Sequence, residues 1–183
     1  MIQKPGAASG TADDGLGTER IVKEKRIRDG DIVLAQVMNP EDANPAGNVH
    51  GGVIMKLIDT AGGVAAIRHA RCNVVTASVD RLDFFHPVFI GDLVILRASV
   101  NFVGRTSMEV GVRVESEDPR TGGRRHTSTA YLTYVALDGN SRPLPLPPLV
   151  PETDDEKRRN REAEARRKTR LAEKTKEKEC SGA

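Results

Sequence analysis

Apolar residues along this chain form one helical patch followed by a series of alternating runs. Between Gly51 and Ala70 the sequence GGVIMKLIDTAGGVAAIRHA places Ile54, Leu57, Ile58, Ala61, Val64 and Ala65 at three- and four-residue intervals, the period of an α-helix. Met55, Asp59, Gly62, Gly63 and Ala66 fall on an adjacent strip. The helix is therefore apolar nearly all round, which predicts burial on more than one side. Arg68, His69 and Arg71 stand at its end, where the helix dipole is negative. Before it, Asp31 to Met38 reads as a short strand stopped by Asn39 and Pro40, and a polar loop runs from Glu41 to His50. After it come four strand signals. Asn73 to Asp83 is rich in Val and Thr and is broken at Phe84-Phe85-His86-Pro87-Val88. Val94, Leu96, Ala98, Val100 and Phe102 alternate with Ile95, Arg97, Ser99 and Asn101, as in a half-buried strand. Gly104-Arg105-Thr106 makes a turn, and Met108, Val110, Val112 and Val114 then alternate with Glu109, Gly111, Arg113 and Glu115. A hairpin loop from Asp118 to Gly123 leads into a last strand, Arg125 to Leu137. Five prolines from Pro143 to Pro151 mark an extended exit.

One long helix and a run of strands joined by short turns predict an α+β fold, an antiparallel sheet wrapped around one long central helix. A lone central helix leaves its second face open unless another copy covers it, so at least a dimer is expected.

Composition confines this core to part of the chain. Residues 1–25 are small, polar and charged with no periodicity, and are expected to be disordered. The domain proper runs over residues 26–151. Residues 152–183 form a charged tail, disordered or a solvated helix, with pairs such as Glu162–Arg166 and Glu164–Lys168. Leu171 is its one strongly apolar residue, so no long docking face is expected there. The net charge of +2 and the absence of Trp argue against a nucleic-acid partner. Cys72 and Cys180 form neither a disulfide framework nor a zinc pattern. A reducing cytoplasm is the expected setting. No apolar run has the form of a signal peptide or a membrane span. His69, His86 and His126 show no metal-ligand spacing.

Asp59 is the anomaly. A carboxylate in the most apolar helical stretch is costly unless something uses or pairs it. Gly62 and Gly63, just after it, each cost roughly 1 kcal/mol of helix stability relative to alanine. Fifteen positions before Asp59 stands Asn44, and between them lies the turn Ala46-Gly47-Asn48-Val49-His50-Gly51-Gly52. Together these mark a site.

The run from Asp42 through Asn44-Pro45-Ala46-Gly47-Asn48-Val49-His50-Gly51-Gly52, followed by Ile58-Asp59, resembles the acyl-CoA thioesterases of the hotdog fold, closest to the acyl-CoA hydrolase branch that includes cytosolic brain-type enzymes and short bacterial relatives. Ala77-Ser78-Val79-Asp80-Arg81, Asp83-Phe84, Pro87, Gly91-Asp92, Thr106-Ser107-Met108-Glu109-Val110 and the close Pro143-Leu144-Pro145-Leu146-Pro147-Pro148-Leu149 extend the resemblance over about Asp31 to Glu152. It implies hydrolysis of fatty acyl-CoA to free acid and coenzyme A, with no metal or redox cofactor, by a homodimer that assembles further to a hexamer, a trimer of dimers.

The residues fit that chemistry. Thioester hydrolysis needs a base or nucleophile at the carbonyl, a donor for the oxyanion and room for the thiol. Asp59 is the candidate base, strengthened by an apolar setting, or a nucleophile that forms a mixed anhydride. Backbone amides of Gly51 and Gly52 at the helix start are the candidate oxyanion donors. The resemblance implies that Asn44 orients water or the thioester; His50 is an acid–base group or a brace for the turn, and Asn48 reads as the helix N-cap. Eight residues separate Gly51 from Asp59, about 12 Å of helix. Asp59 therefore cannot serve its own helix start, and the resemblance implies the same solution, a site at the dimer interface. For the coenzyme A phosphates the resemblance points to Arg105, Thr106 and Ser107, with Arg81, Arg124 and Arg125 as weaker candidates. An aryl-CoA thioesterase of the phenylacetyl type shares the His-Gly-Gly to Asp spacing. The proline-rich close and Ser78-Val79-Asp80-Arg81 favour the fatty acyl enzyme. A non-catalytic acyl-CoA sensor is disfavoured by the lack of an attached DNA-binding motif.

Overall fold

The computed structural model describes residues 23–181, with side chains described to residue 176. The tail expected over residues 1–25 thus lies, up to residue 22, outside the described residues. In chain order the elements are β1 (Lys25–Arg26), β2 (Ile32–Val37), α1 (Gly51–Ala70), β3 (Asn73–Phe84), β4 (Leu93–Val103), β5 (Ser107–Asp118), β6 (Gly123–Leu137), β7 (Leu149–Val150) and α2 (Asp154–Ser181). Helix α1 and the strands around it fall where the periodicities put them.

The five-stranded sheet has the order β2-β4-β5-β6-β3, and every neighbouring pair is antiparallel. Tight hairpins join β4, β5 and β6, while β3 crosses to the far edge beside β6. Alternation does the rest. Val94, Leu96, Ala98 and Val100 of β4 and Met108, Val110, Val112 and Val114 of β5 are at most 2% exposed. They pack on Ile54, Leu57, Ile58, Ala61 and Ala65 of α1 in one core cluster. Each such large side chain contributes roughly 1.5–3 kcal/mol by leaving water. This is the antiparallel sheet wrapped on a central helix that the sequence predicts.

Three features stand out, the last two against expectation. First, α1 is open on one face, as expected of a central helix in a single copy: Met55, Lys56, Asp59, Thr60, Val64 and Ile67 are exposed. Beside this strip β3 forms a sheet edge with Val75 and Val79 also exposed. Second, the charged tail is a docked helix. Ala163 of α2 is fully buried, Asn160 donates to the carbonyl of Asn101 at 2.8 Å, and Arg166 pairs with Glu109 at 2.7 Å. Arg170 pairs with Asp80. The docking is ionic and small-residue, so a search for large apolar residues passes over it. Glu109, which the alternation assigns to a solvated face, lies beneath α2 with its side chain only 1% exposed. Third, β1 pairs in parallel with β7, and Lys25 Nζ donates to the carbonyls of Arg68 and His69 at the C-terminal end of α1. No local signal marks so short a pairing.

Candidate active site

The loop before α1 is folded around one side chain. Asn44 Oδ1 accepts from the amides of Ala46 at 2.9 Å and Asn48 at 3.2 Å. The Gly47 amide returns to the Asn44 carbonyl at 2.9 Å, with Gly47 at φ 84°, a left-handed value suited to glycine. Two backbone donors on Oδ1 fix which way the amide points. The Asn44 Nδ2 group has no hydrogen-bond partner among the described residues. Asn44 and Gly51 line one cavity of about 300 Å³, walled by Ile54, Phe84, Phe85 and Val88. A Cβ on Gly51 would meet the Phe84 ring at 3.5 Å.

The helix cap corrects two expectations. His50, not Asn48, is the N-cap: its Nδ1 accepts from the Gly52 amide at 2.9 Å. The bond needs an unprotonated Nδ1 and gives His50 the bracing role. It also occupies the Gly52 N–H, which removes that amide from the oxyanion donors. The Gly51 amide donates to no protein group among the described residues, and it points out of the helix start as an orphan donor does.

Asp59 sits elsewhere, midway along the exposed strip of α1. Thr76 of β3 donates its hydroxyl to Asp59 Oδ1 at 2.6 Å. Tyr134 of β6 donates to the Asp59 main-chain oxygen at 3.0 Å and lies 3.3 Å from Oδ1. Burial of Tyr134, together with the neighbouring carboxylate, holds its phenol well above the ordinary phenol range, so it stays a donor. Its own chain does not desolvate Asp59, which is exposed. An apolar environment for this carboxylate is not supplied by the described residues of its own chain. Thr76 and Tyr134 escape a sequence reading because both reach Asp59 from strands remote along the chain. The one trace of them was Gly62: a Cβ there would stand 2.4 Å from the Tyr134 hydroxyl.

The proposed phosphate-binding residues lie at the other end of the sheet from Asn44. Leu93 of β4 pairs beside Val37, next to the loop that carries Asn44, while Val103, at the far end, leads into the turn with Arg105 and Thr106. An 11-residue strand separates them by about 30 Å. One chain therefore does not bring Arg105, Thr106 and Ser107 to Asn44. Arg81 is tied to Asp83 at 2.6 Å, Arg124 to Glu117 at 2.5 Å and Arg125 to Asp92 at 3.3 Å. A larger cleft of about 500 Å³ lies on the opposite face of the sheet under α2. Of its five arginines, Arg113 is engaged by Glu115, Arg158 and Arg159 by Asp155, and Arg166 by Glu109, and none of the proposed site residues lines it. Among the described residues no group of His, Cys, Asp and Glu has the form of a metal site, and no helix is long and apolar enough to cross a membrane.

With this geometry in view, similarity to known proteins is informative. The family model described as the thioesterase superfamily matches residues 46–122. The chain is 41% identical over 129 residues to an uncharacterised acyl-CoA thioester hydrolase of Bacillus subtilis, covering 70% of this chain and 75% of that one. It is 37% identical over 163 residues to the cytosolic acyl coenzyme A thioester hydrolase of Rattus norvegicus, covering 78% of this chain but 42% of that protein. The chain thus spans about two fifths of the length of the mammalian relatives it matches. Among solved structures, a hexameric acyl-CoA thioesterase in its apo form aligns with a TM-score of 0.80 at 36% identity, covering 83% of this chain and 97% of that one. An acyl-CoA hydrolase from Staphylococcus aureus, solved with butyryl coenzyme A and coenzyme A, aligns with a TM-score of 0.80 at 32% identity, covering 87% and 97%. Variants of that hydrolase replace an asparagine, an aspartate fifteen residues later and a threonine seventeen residues after that. Asn44, Asp59 and Thr76 are spaced identically here.

Proposed function

The chain belongs to the thioesterase superfamily, and from that premise we propose that it hydrolyses fatty acyl-CoA to a free fatty acid and coenzyme A in a site assembled from two copies. The observation that carries this reading is the placement of Asp59. It is held by Thr76 and Tyr134, flanked by the exposed apolar residues Met55, Val64 and Ile67, and separated from the donors at its own helix start by eight residues, about 12 Å.

A second copy resolves the separation. Antiparallel pairing of two β3 edges sets two α1 helices side by side and covers both exposed strips. Asp59 of one copy then faces Asn44 and Gly51 of the other. The thioester carbonyl oxygen lies against the Gly51 amide and the Asn44 Nδ2 group, two donors placed where negative charge develops. Asp59 either takes the proton of an attacking water or attacks the carbonyl itself. The C–S bond breaks, and coenzyme A leaves as a thiolate stable enough to need no strong general acid, metal or redox cofactor. On the nucleophilic route the acyl group is left on Asp59 as a mixed anhydride, which water then cleaves to the free acid and the restored carboxylate. The apolar strip and Phe84 receive the acyl chain. Arg105, Thr106 and Ser107 meet the coenzyme A phosphates only if a neighbouring copy presents them, which favours further assembly of dimers into a hexamer, the state of a similar solved thioesterase. We place the protein in the cytoplasm, where acyl-CoA is met in solution. Nothing in the mechanism calls for nucleic acid or a membrane.

The test is thiol release from a panel running from acetyl- to stearoyl-CoA, with phenylacetyl-CoA included, followed with a chromogenic disulfide. Release from the longer aliphatic substrates is expected. No release from any member defeats the hydrolase reading, and release from phenylacetyl-CoA alone favours the aryl-CoA enzyme.

A further inference from the structure

We propose that Tyr134 is a positioning residue for Asp59, admitted by the gap at Gly62, and that it divides the work of the carboxylate: Oδ1 is held and Oδ2 reacts. The proposal rests on the acyl-CoA hydrolase reading above and concerns how its carboxylate is aimed.

Tyr134 lies on the inner face of β6 under the middle of α1, 1% exposed. A tyrosine in that position ordinarily stops at the helix surface. Here its hydroxyl reaches the backbone of the helix, because Gly62 leaves the space. A Cβ at Gly62 would stand 2.4 Å from the hydroxyl and 3.2 Å from two ring carbons. Even alanine would drive the phenol away. Gly63 is different, since a Cβ there meets nothing nearer than 3.9 Å. The helix-weakening glycine at position 62 thus has a specific steric cause.

Through that gap the hydroxyl fastens the Asp59 main chain at 3.0 Å and shares its proton with Oδ1 at 3.3 Å. Thr76, the cross-strand neighbour of Tyr134 on β3, adds the short bond to Oδ1 at 2.6 Å. Oδ2 has no partner among the described residues. An aspartate on an exposed helix position otherwise samples several rotamers, and a misdirected oxygen is a poor base or nucleophile. Donors from β3 and β6 remove that freedom. The polar groups acting on the tyrosine hydroxyl are Asp59 from α1 and Thr76 from β3, and β5 sets the apolar Met108 opposite Tyr134.

Tyr134→Phe keeps the ring and removes the clamp. The expected result is a kcat about tenfold lower with KM within about twofold, the split that a misaimed carboxylate gives and a merely loosened fold does not. Gly62→Ala should lower both kcat and the melting temperature. Adding Tyr134→Phe removes the atom its Cβ strikes, so the double variant should melt higher than the two single losses predict. If the wild type hydrolyses acyl-CoA and Tyr134→Phe matches it in kcat, the clamp is wrong while the hydrolase reading stands. Strictly additive melting losses would sink the role given to Gly62. An inactive wild type defeats the hydrolase reading itself.

Discussion

Removing Arg166 should loosen the C-terminal helix and destabilise the domain. Glu109 is a carboxylate with a side chain only 1% exposed. Arg166 holds it in a bidentate grip, with Nε at 3.3 and 3.2 Å from its two oxygens and Nη2 at 2.7 Å. The other donor is Asn101 Nδ2 at 3.5 Å, too long to replace it. The guanidinium also lies 3.7 Å over the ring of Tyr131, worth about 0.5–2 kcal/mol. Breaking a buried pair from one side costs about 3–5 kcal/mol, because a charge is left buried without a partner. That cost has a ceiling: once it exceeds the free energy that docks α2, the helix lifts and water reaches Glu109. Arg166→Ala is therefore expected to lose about 3 kcal/mol. For a chain this long that is roughly a 10 °C fall in melting temperature, with faster amide exchange along residues 154–176. Differential scanning calorimetry and hydrogen exchange report the two effects separately. The partner substitution Glu109→Gln in the same chain should recover part of the loss, since no buried charge remains. If Arg166→Ala changes the melting temperature by less than about 2 °C and leaves exchange in α2 unaltered, the pair does not anchor the helix and the reasoning fails.

Asp59→Ala and Asn44→Ala should each be inactive, while random mixing of the two after subunit exchange should restore about a quarter of wild-type activity, since half of the dimers keep one intact site; mixtures that stay inactive despite proven exchange refute the shared site. His50→Ala should cost about 1 kcal/mol in urea unfolding as a lost N-cap and leave the acidic and basic limbs of the pH–rate profile in place; a vanished limb would make His50 a proton-transfer group. Burial holds the His69 imidazole below its ordinary range, with the Pro147 carbonyl 2.9 Å from Nε2 acting the other way. The unfolded chain therefore binds a proton at a higher pH than the folded one. Stability is full above the unfolded histidine value, near 6.5, and falls as pH drops from there through the folded value. His69→Gln should flatten that part of the urea midpoint curve, and an unchanged slope would assign the effect to other groups.

What the sequence disclosed and what it hid divide along one physical line. Val94, Leu96, Ala98 and Val100 declare a strand because alternation is local, and Gly51 to Ala70 declares a helix for the same reason. The separation of Asp59 from its own helix start at Gly51 was legible too, because helix rise turns a residue count into a distance. Contacts between remote segments were not. Thr76 and Tyr134 meet Asp59 from 17 and 75 residues away. Glu109 reads as a solvated residue until α2 covers it, and α2 reads as a solvated helix until Glu109 and Asn101 give it something to bind. The cap went to His50 rather than Asn48 because a side-chain nitrogen can serve as acceptor where residue preference favours an oxygen.

The loop built on Asn44 has a consequence for what can stand at that position. Its carbonyl oxygen is a structural atom, engaged by the amides of Ala46 and Asn48, while in the proposed site its nitrogen is left for the ligand. Aspartate would supply the acceptor and close the same turn, yet it would set a negative charge where the proposed reaction needs a donor. Serine would keep a donor and lose the reach. Glutamine carries both groups one methylene too far out. Of these, asparagine alone satisfies both the fold and the proposed chemistry with opposite ends of one planar group, so a substitution there loses both together or separates them cleanly.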